Sequence, residues 1–467
     1  MRLVCLFSAF YFSIACMAQR TTIAQTVVSG PMIGHVELRT ATIWMQFSVD
    51  VKEANVIYAE KGTSFEKAQR SYFRFDFPAG ALYHGESNAL FNTARSVLIN
   101  LQPGKTYEYR IYVNRNKQAV ASGAVTTQPL WQHREPAPDF SFLTGSCAYF
   151  NEPVYDRPGK PYGSDSIIFD AMGKEKADFM LWLGDNWYYR EVDFYSSYGL
   201  YYRASRDRAT KVIQPLLKAM PQYAIWDDHD YGWNNSDRSF PLKDASRDIF
   251  TRYWCNPSYG QDNEGIYTKF TWKDIDVFML DSRWFRNNDL TKDSLDNAAN
   301  PDKRMFGKKQ MDWLKDALLE SKYNYNISFR FIATGSQVLN PVSAEDCLKN
   351  YPVEYTELIS FIRENGINGV VFITGDRHHS EVIGLPQEGF YTLYDVTSSS
   401  FTAGISATRG AEKNNPFRVA KEIPQHNYTR ISVSGDKKER RLKVEFLDIK
   451  GQKVGEWGVA LKELVSK

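Results

Sequence analysis

Asp178-Phe179-Met180-Leu181-Trp182-Leu183-Gly184-Asp185-Asn186-Trp187-Tyr188-Tyr189 is a short apolar run that stops on a glycine, a carboxylate and an aromatic turn. A continuous apolar run of this length, closed by turn residues, reads as a strand buried on both faces, the habit of a parallel sheet. The pattern recurs as FSFLTG from Phe140, YAIWDD from Tyr223, DVFMLDS from Asp276, ISFRFIATG from Ile327 and GVVFITG from Gly369. Helix-period stretches lie between several of them, at Ser164 to Lys176, Lys308 to Glu320 and Glu354 to Glu364. Such alternation predicts an α/β sheet domain layered by helices, beginning at Asp139 and running to the end of the chain at 467.

Upstream, from Val27 to Thr127, the runs are shorter and alternate, as in ELRTATIWMQFSV, ANVIYAE, SVLINL and TYEYRIYVN. Period-two alternation broken by turn residues predicts a small fibronectin-like antiparallel β-sandwich over residues 26–128. Nothing in it is catalytic, and it reads as a packing or substrate-shaping module. Gln128 to Pro138 is polar and Pro-rich, a linker that cannot continue a sheet. Downstream, Gly435-Asp436-Lys437 between ISVS and KVEFLDI predicts a closing β-hairpin region.

At the N-terminus, Met1-Arg2 precedes an apolar stretch from Leu3 to Ala15, too short to span a bilayer but long enough for a signal-peptide core. Export to the periplasm or exterior is the expectation, with a signal peptide at 1–18 cleaved after Ala18; lipoprotein anchoring through Cys16 is the alternative. No later segment resembles a membrane helix. With 43% hydrophobic and 24% charged residues the chain has the composition of a folded protein. A net charge of +2 without a basic arm gives no sign of a nucleic-acid-binding module, and the oligomeric state is left open. Cys5 and Cys16 belong to the leader; Cys147, Cys255 and Cys347 are an odd set, so at least one is free, intermolecular or metal-bound.

The unusual polar residues sit where the apolar runs end: Gly145-Ser146-Cys147, Gly184-Asp185-Asn186-Trp187-Tyr188, Asp227-Asp228-His229-Asp230, Gly335-Ser336-Gln337 and Gly375-Asp376-Arg377-His378. Ligands of open α/β sheets bind beyond the carboxyl ends of strands, so these segments are expected to converge. A thiol, a phenol, carboxylates and imidazoles together can hold metals of different softness, one trivalent and one divalent. Asp185, with two oxygens, can bridge cations about 3.5–4 Å apart, and Tyr188 can reach the same cation as a phenolate. A metal-bound thiolate at Cys147 would account for the odd cysteine. Bland alternatives stand beside these: Asp185 as a helix cap, the Asp227 to Asp230 run as a solvated turn, Gln337 as a core hydrogen-bonder, and Arg283 as the partner of an acidic neighbour.

GSC, GDNWYY, WDDHDYGWNN and GDRHH in this order, supported by LDSRWFR at Leu280 to Arg286 and by FGKKQMDWLKDAL, resemble the alkaline phosphatase D (PhoD-like) family of calcineurin-like metallophosphoesterases. The motifs are similar also to those of purple acid phosphatases, with a thiol where those enzymes use a carboxylate. The resemblance implies an αββα layered domain and a phosphatase or phosphodiesterase. It implies a ferric ion on Cys147, Asp185, Tyr188 and His378, and calcium or another divalent cation (zinc, manganese or magnesium) on Asp185, Asp228 and Asp376, with Gln337 or Asn235 as further candidates. Asp185 and His229 take the catalytic roles, His229 facing the scissile phosphate; Asn234, Asn235, Arg283 and Arg377 are candidates for gripping phosphate oxygens. The implied reaction is in-line attack of a hydroxide held by the metal pair, without a phosphoenzyme. The substrate is left open between small mono- or diesters and phospholipid or teichoic-type polymers; the rival from another class is a noncatalytic envelope-binding protein.

Overall fold

Alternation in the first hundred residues is realised as two antiparallel sheets. The structure, a computed structural model, describes residues 26–76, 91–343, 346–437 and 439–466, and the backbone of two short paired strands at 82–83 and 86–87. The expected leader, its cleavage after Ala18 and the anchoring alternative at Cys16 lie outside these residues. One sheet takes the order β1 (Val27–Val36), β2 (Ala41–Phe47), β6 (Asn92–Leu98), β5 (Arg74–Phe75); the other takes β8 (Ala121–Thr126), β7 (Thr106–Val113), β3 (Ala54–Glu60), β4 (Gln69–Tyr72). Their inner faces bury Ile43, Met45, Val56, Tyr109 and Ile111, while Met32 and Trp44 on the opposite face of the first sheet are covered by the neighbouring domain.

The remainder forms two six-stranded sheets. The first contains β9 (Phe140–Gly145), β10 (Met180–Leu183) and β11 (Gln222–Ile225), which run parallel, and then β18 (Asn427–Ser434), β19 (Arg441–Asp448) and β20 (Lys453–Ala460), which are antiparallel. The tail is thus a three-stranded meander rather than a hairpin alone. In the second sheet β13 (Ile275–Met279), β14 (Phe329–Thr334), β15 (Val370–Thr374) and β17 (Leu393–Thr397) run parallel, flanked by antiparallel β12 (Thr268–Trp272) and β16 (Glu381–Leu385). Every residue of β10, β11, β14 and β15 is buried, so each reads as a mainly apolar run, while the buried Gln222 and Arg330 donate hydrogen bonds to backbone carbonyls.

The sheets meet face to face through aromatic rings: Phe142 lies edge-on to Phe331 at 5.5 Å and Phe179 to Phe270 at 5.4 Å. Outside them, α1 (Ile167–Lys174) lays Phe169 on Trp182 of β10, while α6 (Gly307–Tyr323) and α7 (Pro352–Glu364) flank β14, whose Arg330 donates to Ser321 O and Asn368 O. Four more helices complete the outer layer and its turns: α2 (Ser197–Arg208), α3 (Gln214–Ala219), α4 (Asp228–Tyr231) and α5 (Lys243–Tyr253). No helix among the described residues is long and apolar enough to cross a membrane.

The sandwich is fastened to the first sheet by buried polar contacts. Trp44 Nε1 donates to Arg252 O at 2.7 Å, Ser29 Oγ to Arg208 O at 2.8 Å, and His35 Nδ1 lies 3.0 Å from the Tyr223 hydroxyl. The segment at 128–138 carries no strand, as its prolines require. Cys147, Cys255 and Cys347 are all unpaired and buried; Cys255 lies at the sandwich boundary, and the Cys347 thiol faces the carbonyls of Val338 and Asn340.

Candidate metal centre and active site

Beyond the carboxyl ends of β9, β10, β11, β14 and β15 the chain turns sharply, and these turns interlock. A Cβ on Gly184 (φ +93°) would stand 2.7 Å from Asp227 N, and one on Gly335 would stand 2.4 Å from Asp227 Cγ, so only hydrogen fits at either crossing. The side chains the sequence singles out are carried by residues in the left-handed region: Cys147 at φ 65°, Asp185 at 53°, Asp376 at 66° and His378 at 58°. Each such residue costs about 1–3 kcal/mol, which the packed strand ends enforce, and concentrations of this strain mark functional sites.

Two donor clusters result. Cys147 Sγ, an Asp185 oxygen and a His378 nitrogen lie within 4.8 Å of one another, and so do ligand atoms of Asp185, Asp228 and His229. Asp185 belongs to both. Its Oδ2 accepts from the Tyr188 hydroxyl at 2.8 Å and lies 3.6 Å from Cys147 Sγ, while its Oδ1 accepts the His229 backbone N–H at 3.2 Å. Asp228 Oδ2 accepts the Asn235 N–H at 2.7 Å, and its Oδ1 is buried with no hydrogen-bond partner. Asp376 joins neither cluster by its carboxylate; its carbonyl is 3.7 Å from Cys147 Sγ.

Burial pushes the Asp185 carboxyl well up, and the negative Asp228, Asp227, Asp230 and Asp376 push it further. Burial likewise raises Asp376, the Cys147 thiol and the Tyr188 phenol, with neighbouring carboxylates adding to each. Asp228 is the exception: burial opposes its charge, but His229, Arg283 and the Asn235 N–H outweigh it and hold the carboxyl below its usual range. So many acidic donors in one buried volume repel one another unless cations intervene. The mixed thiol, phenol, imidazole and carboxylate set and the orphaned Asp228 oxygen fit metal ions. Burial holds His378 down to about 4, and its Nδ1 faces the Gly404 carbonyl, which leaves Nε2 as the lone-pair donor. His229 is also lowered by burial; its ring stacks on Tyr188 with centroids 4.2 Å apart, its side chain is 21% exposed, and Nε2 lies 4.0 Å from Asp228 Oδ2.

Other expected residues are placed differently. Arg283 is fully buried, donating to Asp227 and Asp346 at 2.5 and 2.7 Å, so its guanidinium is consumed in an internal ion-pair network instead of facing phosphate. Arg377 is engaged by Glu412 at 2.6 Å and Ser343 Oγ at 2.7 Å. Gln337 is buried with both ends bonded: its amide nitrogen donates to Glu381 and Thr397 at 2.9 Å, and its oxygen accepts from Asn340 at 3.1 Å. That is core hydrogen bonding, not a ligand position. Asn234 and Asn235 are exposed on the turn after α4, where Asn235 serves Asp228 through its backbone.

Four neighbours of these side chains were not singled out by the sequence. Asp230 receives the backbone N–H groups of Asp185, Asn186 and Asp227 at 3.3, 3.1 and 2.7 Å, tying the β10 and β11 turns together. The capping-box spacing of Asp227 and Asp230 was the available signal. Ser146 and Ser399 place hydroxyls 3.3 and 3.2 Å from Cys147 Sγ, and Ser399, distant in sequence, announces itself by nothing. Tyr162 brings its hydroxyl to 3.4 Å from His378 Nδ1.

Paired six-stranded sheets with donor-bearing turns at their carboxyl ends define a metallophosphoesterase-like α/β fold. Within that class, a family model described as PhoD-like phosphatase matches residues 196–440, and the chain belongs to this family. Its sequence is 26% identical over 367 residues to alkaline phosphatase D of Bacillus subtilis (strain 168), an alignment covering 69% of this chain and 60% of that protein. The chain thus spans about three-fifths of that relative's length. A solved structure of PhoD superposes with a TM-score of 0.73 at 17% identity, covering 94% of this chain and 91% of the other. The purple acid phosphatase isolated from yellow lupin (Lupinus luteus) seeds gives 0.65 at 12% identity, covering 92% and 74%. At these identities the two structures speak to the fold.

Proposed function

We propose that the chain is an exported, metal-dependent phosphoesterase that hydrolyses phosphate mono- or diesters at a two-cation centre. The observation that carries this reading is the position of Asp185 in both donor clusters, one oxygen turned to Cys147 and Tyr188 and the other toward the His229 side. Cys147, Asp185, Tyr188 and His378 would hold a ferric ion, for which a thiolate and a phenolate are apt; Asp185, Asp228 and Asp376, with Asn235 at the rim, would hold calcium or another divalent cation. Bound there, the cations would supply Lewis acidity to phosphoryl oxygens and lower the pKa of water.

The chain's own groups do the remainder. Burial lowers the pKa of His229 and so favours its neutral ring, and that partly open ring can give an Nε2–H hydrogen bond to the departing ester oxygen. Asp230, by accepting the Asp185 and Asn186 backbone N–H groups, and the interlocked turns hold Asp185 in place before substrate arrives, which limits reorganisation during reaction. The apolar leader at Leu3 to Ala15 supports export.

Protein purified aerobically should contain iron, be coloured by phenolate or thiolate bound to ferric iron, and hydrolyse bis(p-nitrophenyl) phosphate; Asp185→Ala should lose at least about a hundredfold in kcat/KM. A colourless, iron-free but active preparation would overturn the iron assignment alone. Equal hydrolysis by wild type and Asp185→Ala would overturn the enzyme reading and restore the binding-protein rival.

A further inference from the structure

Tyr162 stands at the mouth of the candidate site yet belongs to neither donor cluster. Its hydroxyl lies 3.4 Å from His378 Nδ1, and its ring meets Tyr149 edge-on with centroids 4.9 Å apart, and Tyr188 at 6.3 Å. A Cβ on Gly404 would come within 2.8 Å of Tyr162 Cε2, so the chain keeps a glycine where the ring is seated. Although clamped in this way, the residue is 46% exposed. A large aromatic ring held rigidly beside a reactive centre, with an open surface, offers apolar contact at little entropic cost.

The surroundings extend that surface. On the same loop Val154 and Tyr155 are 82% and 43% exposed, and on the neighbouring loop Val192 and Tyr195 are 56% and 83% exposed. Arg157 and Glu191 at 2.7 Å, and Arg190 and Asp156 at 2.8 Å, bind the two loops side by side. Two ion pairs thus bridge the loops, and these four apolar side chains are left open to solvent. Exposed apolar side chains on loops beside such a ring add apolar surface that a ligand can meet.

We propose that Tyr162 is a specificity-determining residue that binds the organic arm of the substrate, so that the site prefers phosphodiesters bearing an aromatic or bulky apolar group on the alcohol that is not expelled. The inference rests on the phosphoesterase reading and narrows its substrate class. Tyr162 takes no part in bond cleavage.

Bis(p-nitrophenyl) phosphate and methyl p-nitrophenyl phosphate release the same nitrophenolate and differ only in the retained arm, aryl or methyl. For wild type, KM for the aryl diester should be about three- to tenfold lower than for the methyl diester, the range a ring contact supplies. In Tyr162→Ala this ratio should collapse toward unity, whereas Tyr162→Phe should preserve it; Tyr162→Leu, which keeps bulk without a π-face, serves if the alanine variant folds poorly and should give an intermediate ratio. Because the ratio compares two substrates on one preparation, altered metal content at His378 cancels. An unchanged ratio in Tyr162→Ala or Tyr162→Leu, or no aryl preference in wild type, would overturn the proposal. Failure of metal-loaded wild type to hydrolyse either diester would instead overturn the phosphoesterase reading beneath it.

Discussion

His378 illustrates how one residue couples the site to stability. Folding places its imidazole among buried groups, so the folded state resists the proton that the unfolded chain accepts near 6.5, and the group titrates only at about 4. A basic group with a depressed folded pKa contributes its full stability above the unfolded value and loses it as pH falls toward the folded one. Metal-stripped protein should therefore lose on the order of 2–3 kcal/mol between pH 6.5 and 4 from this residue. Denaturant melts across that interval check it: His378→Gln should flatten the decline, and an equal slope in the variant would refute the attribution. Legibility at this scale follows the physics of each side chain. The convergence of Cys147, Asp185, Tyr188, Asp228 and His378 was readable because each follows an apolar run, and strand ends of one α/β domain meet in space. Pairing of Arg283 with an acidic neighbour was one of its two readings, but which neighbours, Asp227 and Asp346, depends on a contact between distant loops that a residue type cannot announce.

Among elements, the interlocking strand-end turns matter most. Gly335 admits no side chain because the Asp227 carboxyl lies across it, and Asp227 is itself fixed by Ser282 at 2.9 Å and by Arg283. Gly335→Ala should push the β11 turn away from the cleft and cost about 1–3 kcal/mol, with a loss of metal affinity exceeding that of Gly389→Ala, whose Cβ would meet nothing within 4 Å. Metal titration of both variants checks this; equal affinities would show that the turn tolerates displacement. The strands themselves were legible for a simple reason: a parallel strand buried on both faces is mostly apolar. The last strand was harder to see. Lys453–Ala460 lies on the sheet edge with most of its residues open to solvent, so no run of apolar residues marks it. The sandwich strands, half-buried, kept their alternation and were readable.

For the whole molecule, the arrangement of donors across layers has an effect on folding. Cys147, Asp185 and Asp228 follow strands of the first sheet, whereas Asp376 and His378 follow β15 of the second. Ions bound between them would join the two layers, and any ligand that binds only the folded chain raises its stability by mass action. Chelation should accordingly lower the unfolding temperature by several degrees as well as abolish hydrolysis, and readdition should restore both; calorimetry before and after metal removal checks this, and an unchanged midpoint would place the ions outside the layer junction. The sandwich should melt in the same transition, because Trp44, Ser29 and His35 bury their polar groups against the neighbouring domain and would be left unsatisfied if it detached.

The left-handed turns at Cys147, Asp185, Asp376 and His378 also bear on how this scaffold can be altered. Because their geometry is imposed at the strand ends, the exposed positions Tyr155 and Tyr195 on the loops beyond can vary with little effect on the donors, whereas Tyr162, which touches His378 and Tyr188, cannot. A library confined to those exposed positions would explore new substrates over an unchanged reactive centre, which makes the fold a natural starting point for directed evolution.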